Sequence, residues 1–172
     1  MPKYRRIFED GYTYFLTVTT YQRNPILIEN IELLRKSFKA SKEKYKYRID
    51  AVVILPDHFH LLITPYKATD YPKIIGAIKS YFSRHCKAHY YEELEQPLSR
   101  HKKRYKAVWQ KKYYEQTIKN ERDLVMHLSY MYNNPVKHGL VECGEEWVYS
   151  SFYKLGFSNV ASAKANPTSP NH

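Results

Sequence analysis

The chain has 172 residues, enough for one domain with a sizeable core, and its 43% hydrophobic content excludes a disordered protein. No apolar run approaches a membrane span, and the opening stretch MPKYRRIFEDGYTYFLTV alternates like a strand, not like a signal peptide. A net charge of +11 points to a polyanionic partner, foremost nucleic acid, and 16% aromatic residues, with 18 tyrosines, suit the stacking of unpaired bases.

In chain order, YTYFLTVTT (12–20) is aromatic and β-branched and predicts a strand. Asn30 stands where a helix N-cap belongs, and Ile31, Leu34, Phe38 and Ser41 then recur at helical spacing. Residues 47–54 and 58–64 predict an antiparallel pair of strands joined by the tight connection Leu55-Pro56-Asp57. Ile74, Ile75, Ile78, Phe82 and Cys86 mark a second long helix. The densely basic segment that follows reads as a loop or hairpin-like excursion, leading into a short strand near 113–118. Asn120 can cap a third helix, ERDLVMHLSYMYNN, expected to stop at Asn134 because Pro135 disfavours helical backbone before it. The order is β-α-β-β-α-β plus a helix: an α+β, ferredoxin-like antiparallel sheet with two helices on one face and the other face open. One domain is expected over 1–157, with the small, polar stretch 158–172 as a disordered tail. Cys86 and Cys143 match no metal or redox spacing, so both are expected as free thiols in a reducing cytoplasm.

The stretch AVVILPDHFHLLITP raises the question of function. Strand side chains alternate, so His58 and His60 share one face while Phe59 and Leu61 take the other. An arbitrary His-x-His is more often two sheet histidines than a metal site. This pair opens a strand entered from a tight turn and sits among aliphatics, which favours a site. On the third helix, Leu124, Leu128 and Met131 form a core stripe, and His127, Tyr130 and Asn134 a second one that can face the histidine pair. Spacing alone does not separate Tyr130 from Tyr132, Tyr113 or Tyr114.

LPDHFHLL resembles the HUH motif (His, bulky hydrophobe, His) of single-tyrosine nucleases. YMYNNPVKHGLV resembles the C-terminal signature of REP-associated tyrosine transposases, relatives of certain insertion-sequence transposases. The likeness extends from YRRIFEDGYTYFLTVTT through WQKKYYEQTIKNERDL to EEWVYSSF. It implies a divalent metal, Mg²⁺ or Mn²⁺, held by His58 and His60. It maps the nucleophile to Tyr130 and a third ligand to Asn134, where insertion-sequence relatives usually carry glutamine. His127 is added on geometry alone, as a group that either supports the metal ligands or handles protons.

The implied chemistry is metal-dependent cleavage and strand transfer of single-stranded DNA beside hairpins of repetitive extragenic palindromes, through a 5′-phosphotyrosine link. The implied partner is hairpin-bearing DNA, with a monomer expected over a homodimer. A nucleoid association of this cytoplasmic protein follows when it is DNA-bound. Candidate backbone contacts are Arg5, Arg6, Lys79, Arg84, Lys102, Lys103, Arg104, Lys111, Lys112 and Lys137. A replication initiator or relaxase fits the NPVKHG run less well, and an RNA-binding ferredoxin-like module lacks the aromatic signature of such sheets. The reading from another class is a domesticated hairpin-binding protein that does not cut.

Overall fold

Four antiparallel strands organise the computed structural model, which describes residues 8–165. They are β1 (Tyr14–Thr19), β2 (Tyr47–Ile54), β3 (His58–Pro65) and β4 (Tyr114–Thr117), in spatial order β2-β3-β1-β4. Helix α1 (Ile31–Lys44) joins β1 to β2, and α2 (Tyr71–His85) lies between β3 and β4, giving the expected ferredoxin-like order. Three helices are additional: the short α3 (Leu98–Lys102), α4 (Glu121–Lys137) and α5 (Gly156–Ala165). Among the described residues no helix is long and apolar enough to cross a membrane.

Strand alternation sorts side chains into two cores. Tyr14, Leu16 and Val18 of β1 and Phe59, Leu61 and Ile63 of β3 meet Leu34 of α1 and Ile74, Ile75, Ile78 and Phe82 of α2. Full burial of each such side chain contributes roughly 1.5–3 kcal/mol. A bulge between Ile49 and Ala51 shifts the alternation of β2, so Ile49 and Val52 join this core while Ala51 and Val53 cross to the other face. The extra residue, Asp50, is buried, where it accepts hydrogen bonds from Arg48 Nε and Thr64 Oγ1, both at 2.6 Å.

The sheet face expected to be open is partly closed. Phe15, Ala51, Val53 and Leu62 pack there against Leu128 and Met131 of α4, with Phe152 and Val160 completing a second core. Residues 158–165, expected to begin the tail, belong to α5, and Val160 and Ala161 of this helix pack on the second core. Residues 166–172 lie outside the described residues. The basic excursion is also more ordered than expected, since it contains α3.

Two cap expectations part company. Asn120 caps α4 as anticipated, its Oδ1 accepting from Asp123 N at 2.9 Å. Asn30 precedes α1 but makes no such bond; its Nδ2 donates to Ile26 O, because residues 26–30 already turn. Nor does α4 stop at Asn134: it runs through Pro135 to Lys137. Pro135 removes only one N–H in the last turn, and the end is closed beyond it. Leu140 N donates to Pro135 O and Gly139 N to Val136 O, with Gly139 at φ +69°, a Schellman ending.

Candidate active site

β3 aims His58 and His60 at the α4 side, where they are 4% and 2% exposed with ring centroids 4.9 Å apart. Both rings are anchored through Nδ1. His58 Nδ1 donates to Asp57 Oδ1 at 2.6 Å, and His60 Nδ1 shares a hydrogen bond with Thr17 Oγ1 at 2.8 Å, its cross-strand partner on β1. A carboxylate or hydroxyl on Nδ1 fixes the ring and leaves the Nε2 lone pair free for a ligand. Burial raises the Asp57 carboxyl, but hydrogen bonds from His58 and Arg23, with their charges, outweigh it and hold it below the usual carboxylate range. Burial pushes His60 down to about 3, and the neighbouring His58 charge adds to this. His60 is therefore neutral at ordinary pH, the form that binds metals.

Helix α4 brings its second stripe to this pair. The Tyr130 ring sits edge-on to His60 at 5.1 Å and is 46% exposed, so its hydroxyl-bearing end is accessible. His127 packs on Phe15 at 4.7 Å and donates from Nδ1 to Asp123 O at 2.7 Å, which leaves Nε2 as an acceptor when the ring is neutral. Asn134 is 1% exposed. His60 Nε2 and Asn134 Oδ1 are both buried without a hydrogen-bond partner. A buried polar atom without a partner costs about 1–3 kcal/mol; the Asn134 carboxamide is near enough to the His60 ring to raise its proton affinity against burial, and a cation held by both would remove the cost. Among the described residues no three His, Cys, Asp or Glu side chains form a metal cluster. The set that fits a metal is two imidazoles and a carboxamide, with Asp57 as an outer support.

His58, His60, His127 and Tyr130 line a cavity of about 670 Å³, together with Arg23, Tyr114, Gln116, Lys137 and His138, whereas Asn134 and Asp57 lie behind its wall. Among the competing tyrosines, Tyr132 is turned away: its hydroxyl lies 3.0 Å from Cys143 Sγ, and that contact, then burial, pushes it up to about 12. Tyr113 packs against the α1 and α2 core. Tyr114 does face the cavity, its hydroxyl donating to Gln116 Oε1 at 2.9 Å. Cys86 and Cys143 are both free.

The predicted DNA contacts divide between places. Lys137 lines the cavity at the histidines, whereas Lys79, Arg84, Arg104 and Lys111 line a separate one. Lys102, Lys103 and Lys112 are exposed and line neither. Arg5 and Arg6 lie outside the described residues. Sequence reasoning missed five members of the site, among them Arg23, which donates to Asp57 Oδ2 at 2.9 Å and lines the cavity. Asp57 adjoins His58 and was legible as a carboxylate–histidine pair. His138, whose ring lies 5.3 Å from His58, continues the 127-130-134 spacing by one turn. Thr17 and Phe15 depend on strand register, for which the sequence carried no signal.

Residues 9–134 match the family described as transposase IS200 like. A Haemophilus influenzae protein assigned as a REP-associated tyrosine transposase is 38% identical over 157 residues, covering 90% of this chain and 87% of that one. The REP-associated tyrosine transposase of Escherichia coli K12 is 31% identical over 156 residues, covering 90% and 84%. The solved structure of a REP-associated tyrosine transposase bound to a REP hairpin superposes with a TM-score of 0.71 at 30% identity, covering 90% of this chain and 84% of that one. The chain thus belongs to the IS200-like transposase family and, within it, to the REP-associated tyrosine transposases.

Proposed function

We propose that this protein is a divalent-metal-dependent endonuclease and strand transferase for single-stranded DNA beside REP-type hairpins, working through a covalent 5′-phosphotyrosine. The observation that carries it is the Tyr130 ring standing 5.1 Å from the His60 ring within a single chain. One chain then supplies nucleophile and metal ligands, which supports a monomer as the active unit. A relative solved on a REP hairpin supports the substrate class.

A phenol is a weak nucleophile at neutral pH, its unperturbed pKa being about 10. Mg²⁺ or Mn²⁺ bound by His58, His60 and Asn134 would polarise the scissile phosphate and favour the phenolate, the mixed nitrogen and oxygen donors suiting Mn²⁺ better. Tyr130 Oη attacks phosphorus and the bond from phosphorus to the 3′ oxygen breaks. The phenol proton passes to His127 Nε2, and water protonates the departing 3′ oxygen. The products are a 5′-phosphotyrosine and a free 3′-hydroxyl, which can reverse the step on the same or another end. Arg23 and Lys137 at the cavity hold the flanking phosphates. An unpaired strand leaves the scissile phosphate free to enter the cavity that Tyr130 shares with the histidines, which supports single-stranded DNA as the substrate.

The test incubates hairpin-bearing single-stranded DNA with protein and Mn²⁺ and reads a covalent adduct on a denaturing gel. Wild type and Tyr114→Phe should form it, and Tyr130→Phe should not, while still binding DNA. Binding without any adduct would instead make this a hairpin-recognition protein that does not cut.

A further inference from the structure

A second cavity, about 530 Å³, lies on the α2 side of the sheet and has a different character. Six cations line it: Lys79 and Arg84 from α2, Arg100 from α3, and Arg104, Lys106 and Lys111 from the segment leading to β4. No carboxylate lines it, and among the described residues none of the six pairs with one. Three are spent on carbonyls: Lys79 Nζ on Gln110 O and Lys106 Nζ on Ser83 O, both at 2.8 Å, and Arg100 Nη2 on Trp109 O at 3.2 Å. Arg84 and Arg104 make no side-chain bond among the described residues, and Arg104 is held at φ +55°. Burial, then the Arg100 charge, pushes Lys79 down to about 8, a cost that a bound anion would relieve.

The walls suit more than a bare ion. Trp109 is buried, its indole Nε1 donating to Lys79 O, and Tyr105 stands half exposed at the rim with the Arg100 guanidinium 5.8 Å from its ring centre. An accessible aromatic face beside unpaired cations is how single-stranded nucleic acid is held without sequence readout. The cavity also lies close to the first along the chain. Lys111 lines this one and Tyr114 the catalytic one, three residues apart, or about 10 Å of extended backbone.

We propose that this cavity is a second, non-cleaving DNA subsite that takes an unpaired nucleotide of the strand engaged by Tyr130, its phosphate between Lys79, Arg84 and Arg104 and its base on Tyr105. The proposal rests on the DNA-processing reading above but can fail separately from it. It commits to the phosphodiester of the hairpin's single-stranded flank, not to a free nucleotide.

The test measures binding of hairpins with and without single-stranded flanks, by fluorescence anisotropy across a salt series. The variants are Arg84→Gln with Arg104→Gly, the glycine suiting the positive φ so that the fold is kept, and Tyr105→Ala beside Tyr105→Phe. The charge pair should erase the preference of wild type for flanked hairpins and lower the slope of log affinity against log salt by about two. Tyr105→Ala should weaken flanked binding about tenfold, with Phe restoring it. In a second readout, acylation of Lys79 at pH 8 is followed by mass spectrometry. Flanked hairpin should protect Lys79, whereas inorganic phosphate or a mononucleotide at equal concentration should not. Unchanged slopes and preference in the variants, or equal protection by phosphate alone, would overturn the subsite. Adduct formation is scored on the same samples. Adduct with Lys79 unprotected removes the subsite and keeps the nuclease, and protection without adduct does the reverse.

Discussion

On one face of β3, Phe59, Leu61 and Ile63 are fully buried among the side chains of α1 and α2; on the other, His58 and His60 are buried almost as completely beside α4. The two faces are equally dry and differ in satisfaction. The first packs Phe59, Leu61 and Ile63 among mainly apolar side chains, whereas the second, among the described residues, holds His60 Nε2 and Asn134 Oδ1 buried without hydrogen-bond partners. Burial is thus no guide to which face stabilises and which acts. The mark of the site is an unmet demand for a ligand in a protein that elsewhere meets such demands.

Substitution on each face should separate the two roles. Phe59→Ala is expected to cost about 3–5 kcal/mol of unfolding free energy through the cavity it opens. His60→Ala should cost about 1–2 kcal/mol while abolishing Mn²⁺ binding and adduct formation. Urea denaturation with Mn²⁺ titration on the same preparations reads both, and equal losses of stability would break the contrast.

A pH series sharpens it further. His60 titrates near 3 in the native chain against about 6.5 when unfolded, so between these values the unfolded state holds the extra proton. Stability of the metal-free protein should fall as pH drops from about 6.5 towards 3, by up to ~1.4 kcal/mol per pH unit. The lowered carboxyl of Asp57 adds to the loss at the acid end of that window. Denaturation midpoints at successive pH values in chelator should trace this slope, and His60→Ala should flatten it. Asp57→Asn acts more mildly, on orientation: the His58 ring loses its carboxylate, and Mn²⁺ affinity measured by titration should fall about 10–100-fold with the fold intact.

What the sequence disclosed follows the same division. Features set by a residue and its near neighbours were legible: the shared face of His58 and His60, the stripe His127, Tyr130 and Asn134, the Asn120 cap and the order of elements along the chain. Features set by long-range packing were not. Thr17 reaches His60 only through the register of β1 on β3. The Asp50 bulge needs a buried carboxylate bonded by Arg48 and Thr64, a pairing invisible before the strands meet. Residues 158–165 look polar, yet Val160 has an apolar surface to dock on once α4 has built it. The second cavity takes its cations from α2, from α3 and from the segment before β4, which only the fold brings together.

The most instructive miss concerns two local rules in conflict. Pro135 argues for stopping α4 at Asn134, and Gly139 argues for stopping it three residues later, at Lys137. The later signal prevails because Asn134 and Pro135 are buried and the Schellman bonds close the end, which also carries His138 to within 5.3 Å of His58. Gly139→Ala isolates that closure. A Cβ there would meet nothing within 4 Å, so the whole penalty is the left-handed backbone, about 1 kcal/mol in thermal unfolding. Gly139→Asn, which tolerates that backbone, should recover part of it. A neutral Ala variant would mean that the buried pair alone carries the helix past its proline.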